Sequence, residues 1–362
     1  MNNIRAAVIG LAWGQMHLDA LRRVKNLDIV AVCDSDAERA KLIAKNAGIK
    51  HFFADANEVL RREDVDLVTI ATPPAAQYEI AHNALLAKKA VLCETPVGLH
   101  SQDAEKLWKT AQQRKMTSAV AFQTRYLPSY AYAQELIAEE YLGKFLRATI
   151  TFQMAQPWGL GGSPSEPSNW AADDKRGGGV MRNVAVHFID ALQWWFGPVQ
   201  AVMADRETLF SEVRRPVQVG RETKIEKFTA TADDTFTAML KFENGGTAIL
   251  NFITGARQDT PWSITLVGSR ATLQITSGAL SGKRDTERDF GQLQIPRRLE
   301  LPDRPREPLM WALTELVTDL TKQLRGEEWS GRQPPTFQDA ARAYRVMEAI
   351  QRSSDDMLWV SV

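Results

Sequence analysis

Two glycines and an aspartate near the N-terminus have the spacing that most clearly predicts chemistry. Gly10 and Gly14 lie in a turn between an apolar strand and a helix, and Asp34 ends the next apolar strand, 20 residues after Gly14. A turn with so little side chain lets a diphosphate reach the amides that begin the helix, where the helix dipole favours negative charge. A carboxylate after the second strand can hold a ribose. The stretch predicts a dinucleotide-binding unit.

The match to the G-x-G-x-x-G pattern is incomplete, because Ala12 replaces the middle glycine and Gly14 comes one residue early. An ordinary βαβ unit without a ligand is the alternative. The order strand, turn, helix, strand and aspartate favours the nucleotide. The expected cofactor-binding residues are Gly10, Leu11, Ala12, Trp13, Gly14, Asp34, Ser35, Thr72, Pro73, Glu94 and Thr95.

Asp34 also bears on the choice of cofactor. A carboxylate accepts hydrogen bonds from a free ribose 2′-hydroxyl and repels a 2′-phosphate, so NAD(H) is favoured over NADP(H). Ser35 and Arg39 follow closely, and an arginine can accommodate a phosphate, which leaves NADP(H) open.

The order of predicted elements indicates an α/β fold with two domains. Short apolar strands alternate with helices up to residue 122, which predicts a Rossmann domain over residues 1–122 with a doubly wound parallel sheet. Longer strands of alternating pattern follow, with Gly-Gly and Asn-Gly turns between them. Residues 123–362 are therefore expected to form an α+β domain for substrate binding and oligomerisation, built on a large, mostly antiparallel open sheet.

Composition excludes several classes of protein. The 362 residues carry 44 Lys plus Arg and 44 Asp plus Glu, which gives no electrostatic footprint for nucleic acid or an acidic membrane. The two cysteines, Cys33 and Cys93, lie in apolar strand patterns and fit buried thiols in a reducing compartment. No apolar stretch has the length of a membrane span, and the histidine spacing predicts no metal site. We expect a cytoplasmic protein whose His17, His51, His82 and His100 lie at the surface or cap helices.

Motifs in a fixed order along the whole chain resemble those of the glucose-fructose oxidoreductase, inositol dehydrogenase and rhizopine-catabolism (Gfo/Idh/MocA) family. After the opening unit come Ala-Thr-Pro-Pro at 71–74, Cys-Glu-Thr-Pro-Val at 93–97, Arg125 with Pro128, Asn-Trp at 169–170, the glycine-rich run at 177–190, Ala-Asp-Asp-Thr at 232–235 and Trp-Val-Ser-Val at 359–362. The resemblance implies a nicotinamide cofactor and a sugar, cyclitol or related polyol as substrate. It also implies a second domain whose open sheet supports a homodimer or homotetramer. An apolar sheet face within residues 230–275 favours the same self-association.

The chain departs from the family pattern where a lysine, an aspartate and a histidine are expected around the reacting carbinol. Thr95 stands at the lysine position, Asn183 at the aspartate position, Ala185 at a following glycine and Gln77 at a histidine. His187 matches the pattern, as does Asp190. The resemblance thus implies His187 as the proton shuttle, with Thr95 and Asn183 orienting hydroxyls.

Other side chains are candidates to compensate for the missing ionisable groups. Lys175, Arg176, Arg125 and Tyr126 lie in the motif regions, although each also fits a loop charge or a packed residue. Trp158 and Trp170 flank a Gly- and Pro-rich segment and suit either stacking on a sugar or ordinary packing. The expected substrate-binding residues are Arg125, Tyr126, Trp158, Trp170, Lys175, Asn183 and His187.

Three hypotheses about function follow. The first, which we favour, is an NAD(P)-dependent oxidoreductase that moves a hydride between nicotinamide and a secondary alcohol or ketone of a sugar, cyclitol or sugar-derived metabolite. The second is an NAD-assisted glycosidase or lyase without net redox change. The third is a non-catalytic cofactor-binding sensor, which the loss of the lysine and the aspartate makes a serious alternative.

Overall fold

The computed structural model describes residues 3–156, 170–219, 222–301, 307–327 and 332–362. Contacts within the chain define two units, the first formed by Met1–Tyr126 with Leu301–Ala341 and the second by Leu127–Glu300 with Arg342–Val362. The predicted domain boundary between residues 122 and 123 stays a prediction.

The first unit contains a six-stranded parallel sheet. Its elements are β1 (Ile4–Ile9), α1 (Gly14–Leu21), β2 (Leu27–Cys33), α2 (Ala37–Ala47), β3 (His51–Phe53), α3 (Ala56–Leu60), β4 (Leu67–Ile70), α4 (Pro74–Leu86), β5 (Ala90–Cys93), α5 (Ser101–Arg114) and β6 (Ser118–Val120). The strand order is β3-β2-β1-β4-β5-β6. The order reverses between β1 and β4, and ligands of such sheets bind outside the carboxyl ends of the strands at this point. The predicted Rossmann fold is confirmed.

Local sequence explains where these elements begin and end. Asp36 begins α2 by accepting the backbone N–H groups of Glu38 and Arg39, and Gly48 ends it in the left-handed conformation with φ of +68°. Strands β4 and β5 are buried throughout, as expected for strands with both faces covered.

The second unit is built on a nine-stranded sheet. Its elements are α6 (Pro128–Ala138), β7 (Phe145–Met154), α7 (Val186–Phe196), β8 (Val199–Glu207), β9 (Glu212–Val219), β10 (Glu222–Thr229), β11 (Thr235–Phe242), β12 (Thr247–Thr254), β13 (Thr260–Gly268), β14 (Ala271–Thr276), β15 (Ala279–Arg284), β16 (Gly291–Gln292) and β17 (Val360–Ser361). The large sheet has the order β16-β15-β14-β13-β7-β12-β11-β8-β17, and β9 and β10 form a separate hairpin. Strands β7 and β12 pair in parallel, while the other pairs described are antiparallel. The predicted mostly antiparallel sheet is confirmed.

Apolar side chains of this sheet face the unit's own helices. Phe188 of α7 meets Phe152 and Phe252 edge to face, with ring centroids 6.5 and 5.4 Å away. On β11 the buried positions alternate with the exposed Thr237, Met239 and Lys241. The other face of residues 230–275 mixes polar side chains with Met239 of β11 and the half-buried Ile249 and Ile253 of β12, and the self-association expected from this part of the chain stays a prediction.

Two further helices lie near the C-terminus. Helix α8 (Pro308–Leu324) packs on α1 and on residues 123–126 within the first unit. Helix α9 (Phe337–Asp356) begins in the first unit, and its residues from 342 onward belong to the second. In the second unit, Ser353 and Ser354 accept the backbone N–H groups of Ala204 and Arg206 on β8, which fixes the C-terminal half of α9 beside this strand.

The helices of the described ranges all lack either the length or the apolar run that crossing a bilayer would require. Cys33 and Cys93 are both free and buried. Burial raises the pKa of Cys33 to about 12 and raises that of Cys93 well above its ordinary value, so both thiols stay protonated.

Candidate functional site

The turn after β1 has the shape that close approach to a backbone requires. Gly10 has φ of +86°, and a Cβ at this residue would lie 2.7 Å from the backbone of Ala71 and Thr72. Gly14 begins α1, and its Cβ would lie 3.1 Å from Val8. No side chain among the described residues caps the helix. The N–H of Met16 donates to the Trp13 carbonyl at 3.1 Å, and the N–H groups that precede it have no acceptor within the helix and can meet an anion.

Asp34 lies beside this turn at the end of β2. It is 6% exposed, and its Oδ2 accepts the backbone N–H of Leu11 at 2.8 Å while its Oδ1 accepts that of Asp36 at 2.9 Å. Arg39 lies 3.4 Å from the same carboxylate. Each oxygen of a carboxylate can accept about two hydrogen bonds. The backbone N–H groups use one position on each oxygen of Asp34, and the contacts with Arg39 are long, so ribose hydroxyls can still bind. Ser35 is exposed next to it.

The loop after β4 carries a buried hydroxyl with no partner. Thr72 Oγ1 is inaccessible to solvent and makes no hydrogen bond with the described residues. Gln77, at the position of the expected histidine, donates to the Thr72 carbonyl at 2.8 Å and accepts from the Cys93 thiol at 2.9 Å. Gln77 therefore supports the loop, and the orphaned hydroxyl of Thr72 fits an added ligand.

Glu94, immediately after β5, has three donors from the chain itself. Its Oε1 lies 3.0 Å from His17 Nε2 and accepts the Trp13 indole N–H at 3.2 Å, and its Oε2 accepts the Thr95 backbone N–H at 3.1 Å. Glu94 is 5% exposed and His17 is 0% exposed. The expected surface or capping position of His17 is wrong, because α1 turns this side chain inward onto Glu94.

Thr95 itself is buried in the first unit. The structure thus gathers the glycine turn, Asp34, Thr72 and the residues after β5 at the carboxyl ends of neighbouring parallel strands. The two other predicted catalytic residues, Asn183 and His187, belong to the second unit.

A glycine-rich loop in the second unit is fixed by Asp233. A Cβ on Gly178 would overlap the carbonyl oxygens of Trp170 and Ala171, and one on Gly179 would overlap Oδ1 of Asp233. Asp233 Oδ2 accepts the N–H of Met181 at 2.8 Å. The loop leads into a π-helical segment, Met181–Ala185, which continues directly as α7. Such segments are frequent at functional sites.

The negative charge of Asp233 is opposed by an arginine that also pairs with Asp174. Arg206 lies 3.3 Å from Asp233 and 3.2 Å from Asp174, so one guanidinium holds both carboxylates. Burial raises the pKa of Asp233, and the charge of Arg206 opposes this rise. The pair ties the glycine loop to β8.

Substituting Gly179 tests how tightly this loop is built. We expect Gly179→Ala to lower the free energy of unfolding by about 3 kcal/mol, because φ of +105° and the overlap with Asp233 act together. Urea unfolding measures the change. Gly278→Ala is the matched control, since Gly278 has φ of +84° and open space around it, and only the conformational cost of about 1 kcal/mol applies. Equal losses in the two variants would contradict the tight packing of Gly179.

Asn183 uses its amide nitrogen within this loop. Its Nδ2 donates to the carbonyl oxygens of Gly177 at 3.0 Å and Gly179 at 2.8 Å. Both amide hydrogens are thereby used, and only Oδ1 is left to contact a ligand, as an acceptor. A carboxylate with the same placement would face two carbonyl oxygens. Asn183 therefore makes two hydrogen bonds that an ionised aspartate could not make.

His187 lies in the first turn of α7, four residues after Asn183. This spacing places the two side chains on one face of the helical segment. His187 is half-buried, whereas the neighbouring Phe188 and Ile189 are buried in the core of the unit. The arrangement offers an ionisable imidazole and an amide oxygen side by side.

The other predicted substrate contacts have different surroundings. Arg125 is 8% exposed and pairs with Asp339 at 3.1 Å, and Tyr126 is 1% exposed with its hydroxyl donating to the carbonyl of Arg332. Both side chains are thus held by contacts in the interior of the first unit, and their expected contact with substrate stays a prediction. Lys175 is exposed and Trp170 is half-buried. Trp158 lies outside the described residues.

No group of His, Cys, Asp and Glu within the described ranges could hold a metal ion.

Comparison with known proteins identifies the family. The family model described as "Oxidoreductase family, NAD-binding Rossmann fold" (GFO_IDH_MocA) matches residues 4–122. The model of the GFO/IDH/MocA C-terminal domain matches residues 130–274.

Relatives align over nearly the whole chain. An uncharacterized oxidoreductase of Synechocystis sp. is 27% identical and covers 99% of this chain and 96% of its own length. Levoglucosan dehydrogenase of Pseudarthrobacter phenanthrenivorans is 25% identical over 91% of this chain and 88% of its own. A levoglucosan dehydrogenase solved in complex with NADH and L-sorbose has the same fold, with a TM-score of 0.85, 21% identity and coverage of 100% and 99%. The chain is an oxidoreductase that belongs to the Gfo/Idh/MocA family.

Proposed function

We propose that this oxidoreductase transfers a hydride between NAD(H) and a secondary alcohol or ketone of a sugar, cyclitol or sugar-derived metabolite. The observation that carries the proposal is the half-buried His187 one helical turn after Asn183, in a chain whose first unit has a nucleotide-shaped turn. Dehydrogenases among the relatives act on sugars by name, which supports the substrate class.

The residues of the first unit fit a dinucleotide. The start of α1, which has no side-chain cap, and the orphaned Thr72 hydroxyl suit the phosphates and their neighbourhood, and Gly10 lets the loop after β4 pack directly against the turn. Asp34 suits the adenosine ribose. A bound nicotinamide supplies the hydride acceptor or donor at its C4 carbon.

The chain's own residues supply the proton chemistry. In alcohol oxidation, His187 accepts the hydroxyl proton as the carbinol carbon loses its hydride, and in reduction it returns that proton. Asn183 Oδ1 accepts a hydrogen bond from a substrate hydroxyl and orients the ring. Thr95 can hydrogen-bond a substrate oxygen but adds no positive charge.

Product analysis with a panel of sugars and cyclitols tests the proposal. Incubation of the protein with NAD should produce NADH and the keto sugar in equal amounts for at least one member of the panel. Conversion or cleavage of a sugar without net NADH formation would establish the NAD-assisted glycosidase or lyase instead. NADH binding without turnover across the panel would indicate a sensor.

Replacing Asp34 by Asn should shift cofactor preference. The variant keeps the side-chain size but loses the charge that pairs with Arg39 at 3.4 Å, which frees the arginine for a 2′-phosphate. We expect the ratio of NADPH to NADH affinity to rise by about 10- to 100-fold, which calorimetry measures.

Asp36→Asn is the control for this cofactor test. Asp36 also pairs with Arg39, at 3.6 Å, and an asparagine still caps α2. We expect this variant to change the ratio by less than about threefold, because an exposed pair contributes little. An unchanged ratio in Asp34→Asn would contradict the role of Asp34.

We also propose a homodimer or homotetramer as the working state. The proposal rests on the broad sheet of the second unit, whose exposed positions on β11 include Met239 between Thr237 and Lys241. Light scattering that gives the mass of a single chain would overturn it.

A further inference from the structure

The contact between Glu94 and His17 joins two loops that the sheet keeps apart. Glu94 follows β5, whereas His17 and Trp13 follow β1, and β4 lies between these strands. Two strand spacings correspond to about 9.6 Å. The Glu94 side chain therefore crosses the end of β4 to reach the first helix. Its other oxygen holds the N–H of Thr95.

His17 is poorly explained as a packing residue. Its side chain is 0% exposed, and its Nδ1 has no hydrogen-bond partner among the described residues. Leaving a buried polar atom unpaired has a free-energy cost, so an apolar residue would fill the same space with less penalty. The role that fits His17 is to orient Glu94, because its Nε2 lies 3.0 Å from the Glu94 carboxylate and restricts the direction of that group.

Trp13 contributes a second donor from the same turn. The residue is 56% exposed, yet its indole N–H donates to the Oε1 atom that His17 also contacts. With Thr95 donating to Oε2, all three donors converge on one carboxylate. Charge-assisted hydrogen bonds are strong and directional, so three of them hold the Glu94 carboxylate in one position.

We propose that Glu94, His17 and Trp13 form a brace that positions Thr95 relative to the glycine turn. The members of the brace are positioning residues, and none of them is required to touch substrate. The functional part of this inference rests on the proposed hydride transfer, because alignment of substrate against cofactor is what the brace would serve. Small misplacements of reacting groups reduce rates strongly.

Hydrogen exchange tests the brace without turnover. In His17→Phe an aromatic ring remains but the hydrogen bond to Glu94 is lost, and we expect the backbone N–H of Thr95 to exchange at least about tenfold faster. Glu94→Gln should do the same, because one amide oxygen cannot serve three donors. Trp13→Phe, a change at an exposed side chain, provides a third variant that tests the brace if the buried ones fail to fold.

His82→Phe is the matched control for exchange. His82 lies in α4 of the same unit and stacks on Tyr78 with ring centroids 5.8 Å apart, a contact that phenylalanine can keep. Exchange at Thr95 should be unchanged in this variant. Wild-type exchange at Thr95 in both His17→Phe and Trp13→Phe would overturn the brace.

Kinetics test what the brace does for the reaction. We expect kcat to fall about 10- to 100-fold in His17→Phe and in Glu94→Gln, with KM for NAD in His17→Phe changed by less than about threefold. The double variant should be no slower than the slower single variant, because both substitutions break one unit. Wild-type kcat in His17→Phe, or multiplicative losses in the double variant, would overturn the positioning role.

The two experiments separate failure of the brace from failure of the proposed function. Faster exchange at Thr95 in a protein whose wild type oxidises no alcohol would refute hydride transfer and leave the brace intact. Unchanged exchange in an active enzyme would refute the brace and leave hydride transfer intact.

Discussion

His187→Ala is expected to lower kcat by about 10²- to 10⁴-fold, the range that general acid–base catalysis contributes. The loss should be this large because Thr95 stands where a lysine is expected and Asn183 cannot ionise, so the site has little to replace the imidazole. NADH affinity should stay within about twofold, since the residues that fit the nucleotide belong to the first unit. Stopped-flow kinetics and calorimetry measure the two quantities.

Further variants separate proton transfer from packing at His187. His187→Gln keeps a polar side chain of similar reach and should be as slow as His187→Ala, while added imidazole should restore part of the rate of the alanine variant. His51→Ala is the control, because His51 is a half-buried histidine on β3, outside the proposed site. Turnover by His187→Ala at the wild-type rate would remove His187 from the chemistry.

Asn183→Asp is expected to lower kcat/KM by about 10²-fold, although it restores the residue type of the family pattern. The amide nitrogen of Asn183 lies 3.0 and 2.8 Å from the carbonyl oxygens of Gly177 and Gly179. A carboxylate there would lose both hydrogen bonds and repel both oxygens, at about 1–3 kcal/mol for each unsatisfied partner. The loop that carries His187 would then shift.

The activity of Asn183→Asp relative to the wild type should change with pH in a characteristic direction. Protonation lets the introduced carboxyl donate one hydrogen bond to a carbonyl oxygen, so the relative activity of Asn183→Asp should rise as the pH falls. Asn183→Ala is the control, because it removes the same hydrogen bonds without adding charge and should lose less activity. A faster enzyme after Asn183→Asp would show that the loop tolerates a carboxylate, and would contradict the geometry described.

Local pattern was sufficient to predict the nucleotide half of the fold. The alternation of short apolar strands and helices predicted the parallel sheet, and the small residues of the turn predicted the cradle at Gly10, because both depend on residues that are close in sequence. Likewise, the change to longer alternating strands after residue 122 predicted the large antiparallel sheet.

Features that depend on distant partners were not predicted. His17 meets Glu94, 77 positions away, and Arg125 meets Asp339, 214 positions away. Nothing in the neighbourhood of either residue in the sequence indicates such a partner. The sequence pattern of α1 was compatible with His17 at the surface, and only the folded structure shows that it is buried.

The sheet of the second unit shows a related limit of sequence analysis. Alternation in β11 correctly separates two faces, but sequence does not say which face the chain itself covers. Phe236 and Leu240 are buried, and Thr237 and Lys241 are exposed. Asn183 shows the same limit, because its hydrogen bonds to two glycine carbonyls depend on a loop conformation that Asp233 fixes from 50 residues away.

Calorimetric titration of NADH into ligand-stripped protein tests the central claim, that a nicotinamide dinucleotide binds at the turn after β1. One NADH should bind per chain, and Gly10→Val should abolish the binding, because its side chain would collide with the backbone of Ala71 and Thr72, 2.7 Å from the Cβ, and displace the turn that meets the diphosphate. Absence of heat with both NADH and NADPH in the folded wild-type protein would contradict the account.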